Sequence, residues 1–140
     1  MKPDVTNPIP ESSAAPVQKL SRQQKQILTL ALRNKVRENR PFDACRGADV
    51  LYPEILAEVY GFPLQRPNPR EHPGHNFDRQ AIGPRRYNRA EAAVSRAIWR
   101  LESRGLVKYV TGKLGCWAGC SLSPEGLACA ETVNTRTNPE

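Results

Sequence analysis

The chain has no apolar run approaching the ~20 residues that a membrane-spanning helix needs, and its first residues lack the basic-then-apolar order of a secretory leader. No membrane partner is expected, and the expected location is cytoplasmic. Also missing are a glycine-rich phosphate cradle, a nucleophile elbow and a pair of carboxylates placed on recognisable elements. The chain is therefore expected to be no enzyme and to need no cofactor. Its four cysteines, Cys45, Cys116, Cys120 and Cys129, make an even count, but a reducing cytoplasm argues against a disulfide framework, so free thiols are expected.

Acid is scarce in one part of the chain. Residues 61–113 hold eleven Lys or Arg against four Asp or Glu, whereas the remainder holds ten of each, so the net charge of +7 sits in the middle. A field localised in this way attracts a polyanion, and for DNA it makes affinity fall steeply with salt. At 140 residues and 39 % hydrophobic content, one modest core is expected.

Residues 1–20 carry Pro3, Pro8, Pro10 and Pro16 among polar residues, a composition that buries too little apolar area to order, and they are read as a disordered arm. Ser21 opens a helix with Gln24 in the capping-box position and Ile27, Leu28, Ala31, Leu32 and Val36 on its apolar face, ending near Asn39. A second helix spans Tyr52 to Tyr60, with Pro53 at its start and Gly61 as its stop. Between these helices, Asp43 to Val50 is a candidate short strand. Residues 62–87 then form a long insertion with Pro63, Pro67, Pro69, Pro73 and Pro84 and a surplus of arginine. Two readings of it stay open, a basic loop lying along phosphates and a flexible excursion.

A third helix is expected from Asn88 to Arg104, with Asn88 as its cap, Glu91 three residues on and Gly105 as its left-handed stop. Ala90, Val94, Ala97, Ile98 and Leu101 recur at three- and four-residue spacing and form its apolar stripe. The opposite face holds Arg89, Ala92, Ser95, Arg96, Trp99, Arg100 and Ser103, basic but with a strip of short side chains that permits close approach. Leu106 to Gly112 has strand composition, and Gly119 to Ser123 returns antiparallel to it around a tip at residues 113–118. Ser123 caps a closing helix with Pro124 at its first position, running towards Val133, and residues 135–140 are read as a frayed tail.

The phrase Ile-Trp-Arg-Leu-Glu-Ser-Arg-Gly-Leu-Val107, followed after a gap by Ser-Leu-Ser-Pro-Glu-Gly-Leu-Ala128, resembles the winged-helix core of the MarR-type transcriptional regulators. Their recognition helix ends in a similar Leu-Glu-x-Arg-Gly-Leu-Val, and their last wing strand runs into Leu-Thr-Pro-Glu-Gly. The match covers about half of the chain. It implies a mainly α fold with a small β wing, a winged helix-turn-helix occupying residues 21–134, and double-stranded DNA as partner. In that family the supporting and recognition helices are joined by a short turn, and the insertion at 62–87 departs from this. The family also dimerises through extra terminal helices, for which this chain offers little, so a homodimer stays open and no effector is carried over.

On this reading Arg89 and Arg96 are the first candidates to read bases, with Ser95 and Arg100 beside them, because a guanidinium grips guanine O6 and N7 or a phosphate. Arg85 and Arg86 from the insertion, with Lys108 and the tip residue Lys113, are expected to neutralise phosphates. Trp99 is a further candidate contact, although an indole is usually covered and packing beneath the inserted loop is the favoured reading. Two alternatives remain: a protein-interaction module anchored by Trp99 and Trp117, and a metal-dependent nucleic-acid enzyme using His72, His75 and Asp78. The pair Cys116 and Cys120 also invites a zinc or redox site, but ordinary packing is the favoured reading, and no metal is expected.

Overall fold

The computed structural model describes residues 20–35, 48–65, 77–111 and 118–137. They form helices α1 (Arg22–Lys35), α2 (Tyr52–Tyr60), α3 (Arg79–Ile82), α4 (Pro84–Ser103) and α5 (Pro124–Thr137). Interleaved with these are strands β1 (Val50–Leu51), β2 (Val107–Val110) and β3 (Gly119–Leu122). The fold is mainly helical with a small antiparallel sheet of order β1-β3-β2, so the last strand in sequence lies in the middle. Val50 pairs with Cys120, and Val107 with Leu122, which fixes the register on both sides of β3.

α1 and α2 each begin with a local hydrogen-bonded cap. The Ser21 hydroxyl accepts from the Gln24 amide at 3.1 Å while the Gln24 side chain accepts from the Ser21 amide at 2.8 Å, the reciprocal capping box expected from the sequence. At α2, Glu54 reaches back to accept from the Leu51 amide at 2.8 Å and also accepts from the buried Asn34 side chain at 3.2 Å, joining α2 to α1. The Gln23 side chain donates to the Tyr60 hydroxyl at 2.7 Å, a second tie between the same two helices.

α4 begins a full turn earlier than the sequence reading placed it. Gly83 precedes it and Pro84, with its φ already helical, starts it, so Asn88 is not a cap but an exposed residue inside the helix. The earlier start is held by Tyr87, 1 % exposed, whose ring lies 6.1 Å from that of Phe62 and 5.7 Å from that of Phe77. The helix ends as expected: Gly105 takes φ +76°, its amide donates to the Glu102 carbonyl at 2.9 Å, and the Leu106 amide donates to the Leu101 carbonyl at 3.0 Å. These two bonds form a Schellman motif, and Leu106 is buried beside it.

The insertion expected over 62–87 is shorter than the sequence suggested. Phe62 and Phe77 are both buried and their rings stand 6.3 Å apart, edge to face, so the chain leaves α2 and returns to α4 at nearly the same place. Asp78 caps α3 by accepting from the amides of Gln80 and Ala81, and residues 84–87 belong to α4. Residues 66–76, with His72 and His75, lie outside the described residues. So do Cys45, residues 36–47 and most of the amino-terminal arm, although Leu20 at its end is part of the core. Of the candidate strand at 43–50, residues 43–47 lie outside the described residues, the Asp49 amide donates to the Cys120 carbonyl at 2.9 Å, and Val50 is paired and continues into Leu51. α5 continues past Val133 to Thr137.

Ile27, Leu28 and Ala31 of α1, Ile55 and Leu56 of α2, the inner face of α4, Cys120 and Leu122 of β3, and Ala130 and Val133 of α5 share one core. Asp49, only 8 % exposed, sets the edge of the sheet: its carboxylate accepts from the Leu122 amide at 2.8 Å and lies 3.6 Å from the Lys35 ammonium. Ser123 caps α5 by accepting from the Gly126 amide at 2.9 Å and donates its own proton to the Gly105 carbonyl at 2.6 Å, tying the start of α5 to the end of α4. That approach is close enough to require Gly126, because a Cβ there would overlap the Leu106 carbonyl.

Replacing Gly126 by Ala is accordingly expected to destabilise the protein by about 1–3 kcal/mol through overpacking. Ala128→Gln at an exposed position of the same helix is expected to stay within about 0.5 kcal/mol of wild type. Urea unfolding of the two variants checks this, and a Gly126→Ala protein as stable as wild type would contradict the tight seat of α5 on Leu106.

Candidate nucleic-acid interface

α4 carries most of the candidate functional side chains, and its inner face is part of the core. Tyr87, Ala90, Val94, Ala97, Ile98 and Leu101 are all buried, so the apolar stripe read from the sequence is the inner face, extended by one turn through Tyr87. At about 100° per residue, this fixes which side chains point away from the core. Arg89, Ala92, Ser95, Arg96, Trp99, Arg100 and Ser103 are all exposed, as the spacing predicts, and the earlier start of α4 adds Arg85 to the same outer face.

The cations on this face differ in how far they are engaged by the protein. Among the described residues, the side chains of Arg85, Arg89, Arg96, Arg100 and Lys108 form no ion pair or hydrogen bond. The ion pairs of Arg33 with Glu58 and Lys35 with Asp49 involve no residue of α4. Arg86 is different: its guanidinium sits 5.0 Å above the Phe62 ring, and Arg79 sits 4.6 Å above Tyr87. Both arginines cover the aromatic cluster, so Arg86 is less free than the sequence reading assumed. Lys113 and Trp117, the expected tip contacts, and Cys116 lie outside the described residues.

Ser95 does not stand alone. Its hydroxyl lies 3.0 Å from that of Tyr52, which joins the middle of α4 to the start of α2 and holds both oxygens at the surface. Desolvation by burial pushes the Tyr52 phenol above its ordinary value, and the bond to Ser95 works in the opposite sense. Tyr52, Ser95, Asn88, Glu91 and Tyr109 line an open groove of about 490 Å³ beside the helix. Tyr52 was missed as a site residue because its partner is 43 positions away and no local pattern announces the pairing.

One expectation is corrected here. Trp99 does not pack beneath the inserted loop; it is 66 % exposed, because its position on α4 faces directly away from the core. Tyr109 is 40 % exposed on the edge strand β2, where its amide donates to the Glu102 carboxylate at 3.3 Å. Glu102 is thereby held toward the sheet rather than toward the arginines.

The cysteine readings meet a chemical obstacle. Cys120 is wholly buried at the centre of the sheet, and desolvation, followed by the nearby Asp49 and Glu102 carboxylates, pushes its thiol up to about 12. Cys129 is also buried and shifted upward by desolvation. A thiol held in its neutral form is neither a ready nucleophile nor a good metal ligand, so Cys120 does not suit a redox pair with Cys116. Asp78 likewise spends its carboxylate on capping α3.

A second concavity of about 660 Å³ lies between α1, α2 and α5, lined in part by Thr29, Arg33, Glu58 and Glu131. Its one described cation is already paired with Glu58, so it offers no unbalanced charge comparable to that of α4.

The buried thiol predicts a pH dependence. Because its folded value is raised from 9.0 to about 12, the folded state retains a proton that the unfolded chain releases. The contribution is fully present below about pH 9 and is lost as pH rises towards 12. Thermal melts from pH 8 to 11 should show stability falling above pH 9, with a shallower fall in Cys120→Ala; parallel curves for the two proteins would refute the assignment. No family model matches the chain, and no curated protein or solved structure matches it significantly.

Proposed function

We propose that this chain is a winged helix-turn-helix protein that binds double-stranded DNA, acting as a transcriptional regulator of the MarR-like kind. The order α1-β1-α2-α3-α4-β2-β3 and the sheet order β1-β3-β2 support the winged-helix reading, with α2 as supporting helix, α4 as recognition helix and the β2-β3 pair as wing. The closing of the insertion by Phe62 against Phe77 supports it too, because it restores the close succession of supporting and recognition helices.

One observation carries the reading of function: four exposed arginines without protein partners, Arg85, Arg89, Arg96 and Arg100, on the outer face of a helix whose inner face is locked in the core. Exposed cations that serve neither packing nor internal pairing are available to phosphates and to guanine. Ala92, Ser95 and Ser103 keep the same face low, which lets a helix backbone approach the floor of a major groove. Lys108 on β2 adds a fifth free cation beside the helix. Binding needs no chemistry from the chain, and the proposal includes no cofactor. A cytoplasmic location and a homodimer through α1 or α5 belong to the same proposal.

Trp99 favours one other reading, a winged helix that binds a protein through its exposed indole. Salt separates the two. A fluorescent duplex of mixed sequence titrated with wild type should give a log–log salt slope of about −4 to −5 if the five cations each neutralise one phosphate. In the Arg96→Ala, Arg100→Ala double variant the slope should become shallower by about 2, with weaker binding at every salt concentration. Absence of wild-type binding at about 50 mM salt, where phosphate contacts are strongest, would remove the DNA reading.

A further inference from the structure

The outer face of α4 is divided lengthwise. At about 100° per residue, Arg85, Arg89, Arg96 and Arg100 fall on one side of its midline, and Asn88, Ala92, Ser95 and Trp99 on the other. Beyond this neutral strip lie Glu91 and Glu102, whose carboxylates disfavour a phosphate on that side. Phosphates are thereby directed to the arginine side, which leaves the neutral strip over the base edges.

The neutral strip contains two large side chains with no task inside the protein. Asn88 is exposed on the rim of the groove beside α4, and its side chain makes no hydrogen bond among the described residues. The sequence assigned its amide to capping; the start at Pro84 releases it. Trp99 is the most exposed large hydrophobic of the described residues, and its indole makes no hydrogen bond, ring or cation–π contact there. Between them Ala92 and Ser95 are short, so both ends of the strip stand above its middle.

Each of the two has a chemistry that one base pair satisfies. A carboxamide donates to N7 and accepts from the N6 amino group of adenine, and an apolar surface rewards the 5-methyl of thymine. Arginine serves phosphate and guanine alike, so the basic strip carries affinity without selecting for A·T. We infer that Asn88 and Trp99 are the residues that make this helix discriminate A·T pairs, Asn88 through adenine and Trp99 through the thymine methyl. The inference rests on the DNA reading above. Asn88 and Trp99 are eleven positions apart, which is about 16 Å along the helix. At 3.4 Å per base pair, the two A·T positions lie about five pairs apart.

The test uses the full chain, a pool of randomised duplexes, and the variants Asn88→Ala and Trp99→Ala. Wild type should enrich duplexes with A·T pairs at two positions about five pairs apart, and thymine-to-uracil replacement at one of them should weaken it roughly three- to tenfold. Trp99→Ala should be indifferent to that replacement, and Asn88→Ala should lose its preference for adenine at the other position by roughly tenfold. Both positions are exposed, so the variants should keep the wild-type melting temperature and the wild-type salt slope, which separates lost discrimination from misfolding. If both variants select the same sequences with the same discrimination as wild type, the inference is wrong while DNA binding stands. A wild type that binds every duplex equally overturns it as well. A wild type that binds no duplex at low salt overturns both the inference and the reading beneath it.

Discussion

Burial of one face of α4 determines the direction of every charge on the other. Tyr87, Ala90, Val94, Ala97, Ile98 and Leu101 are within a few per cent of complete burial, and each large-to-small change among the bulky ones would cost about 2–5 kcal/mol. A helix held that firmly cannot roll to satisfy its arginines within the protein. The attachment points of the cations at 85, 89, 96 and 100 are therefore fixed along one face, while their unpartnered side chains stay in solvent. The same packing that stabilises the fold orients the surface proposed to work.

The remaining elements keep α4 in place from its two ends. At its start, the rings of Phe62, Phe77 and Tyr87 close the chain between α2 and α4, with the guanidiniums of Arg79 and Arg86 above them. At its end, the Schellman turn at Gly105 hands the chain to β2, and Ser123 bonds back to the Gly105 carbonyl. Gly126 then allows α5 to sit against Leu106, which gives a physical reason for glycine in the Ser-Pro-Glu-Gly phrase. That phrase contributed to the family resemblance, and here its serine and glycine each have a definite structural task.

Much of this architecture was legible in the sequence because it depends on local chemistry. Ser21 with Gln24, the stop at Gly105, the cap at Ser123 and the three- and four-residue spacing of α4 are short-range signals, and each has its counterpart in the structure. The errors arose where contacts span long stretches of sequence. Asn88 looked like a cap because nothing nearby showed that Tyr87 would be drawn into an aromatic cluster with residues 62 and 77. Trp99 was expected to be covered because the insertion looked long enough to reach it, whereas part of that insertion is spent on Phe62, Phe77, α3 and the first turn of α4. The bond between Tyr52 and Ser95, and the buried Asp49 that accepts from Leu122, leave no periodic trace at all. Exposure of the arginines could be read in advance, while their lack of internal partners could only be seen in the fold.

The outer face of α4 is proposed as the working surface. It is tested most directly by recording amide chemical shifts of the full chain while a short mixed-sequence duplex is added. Perturbations should concentrate on residues 85–104 and on β2, with α1 and α5 little changed. Perturbations centred on the concavity between α1, α2 and α5, with α4 unmoved, would contradict it.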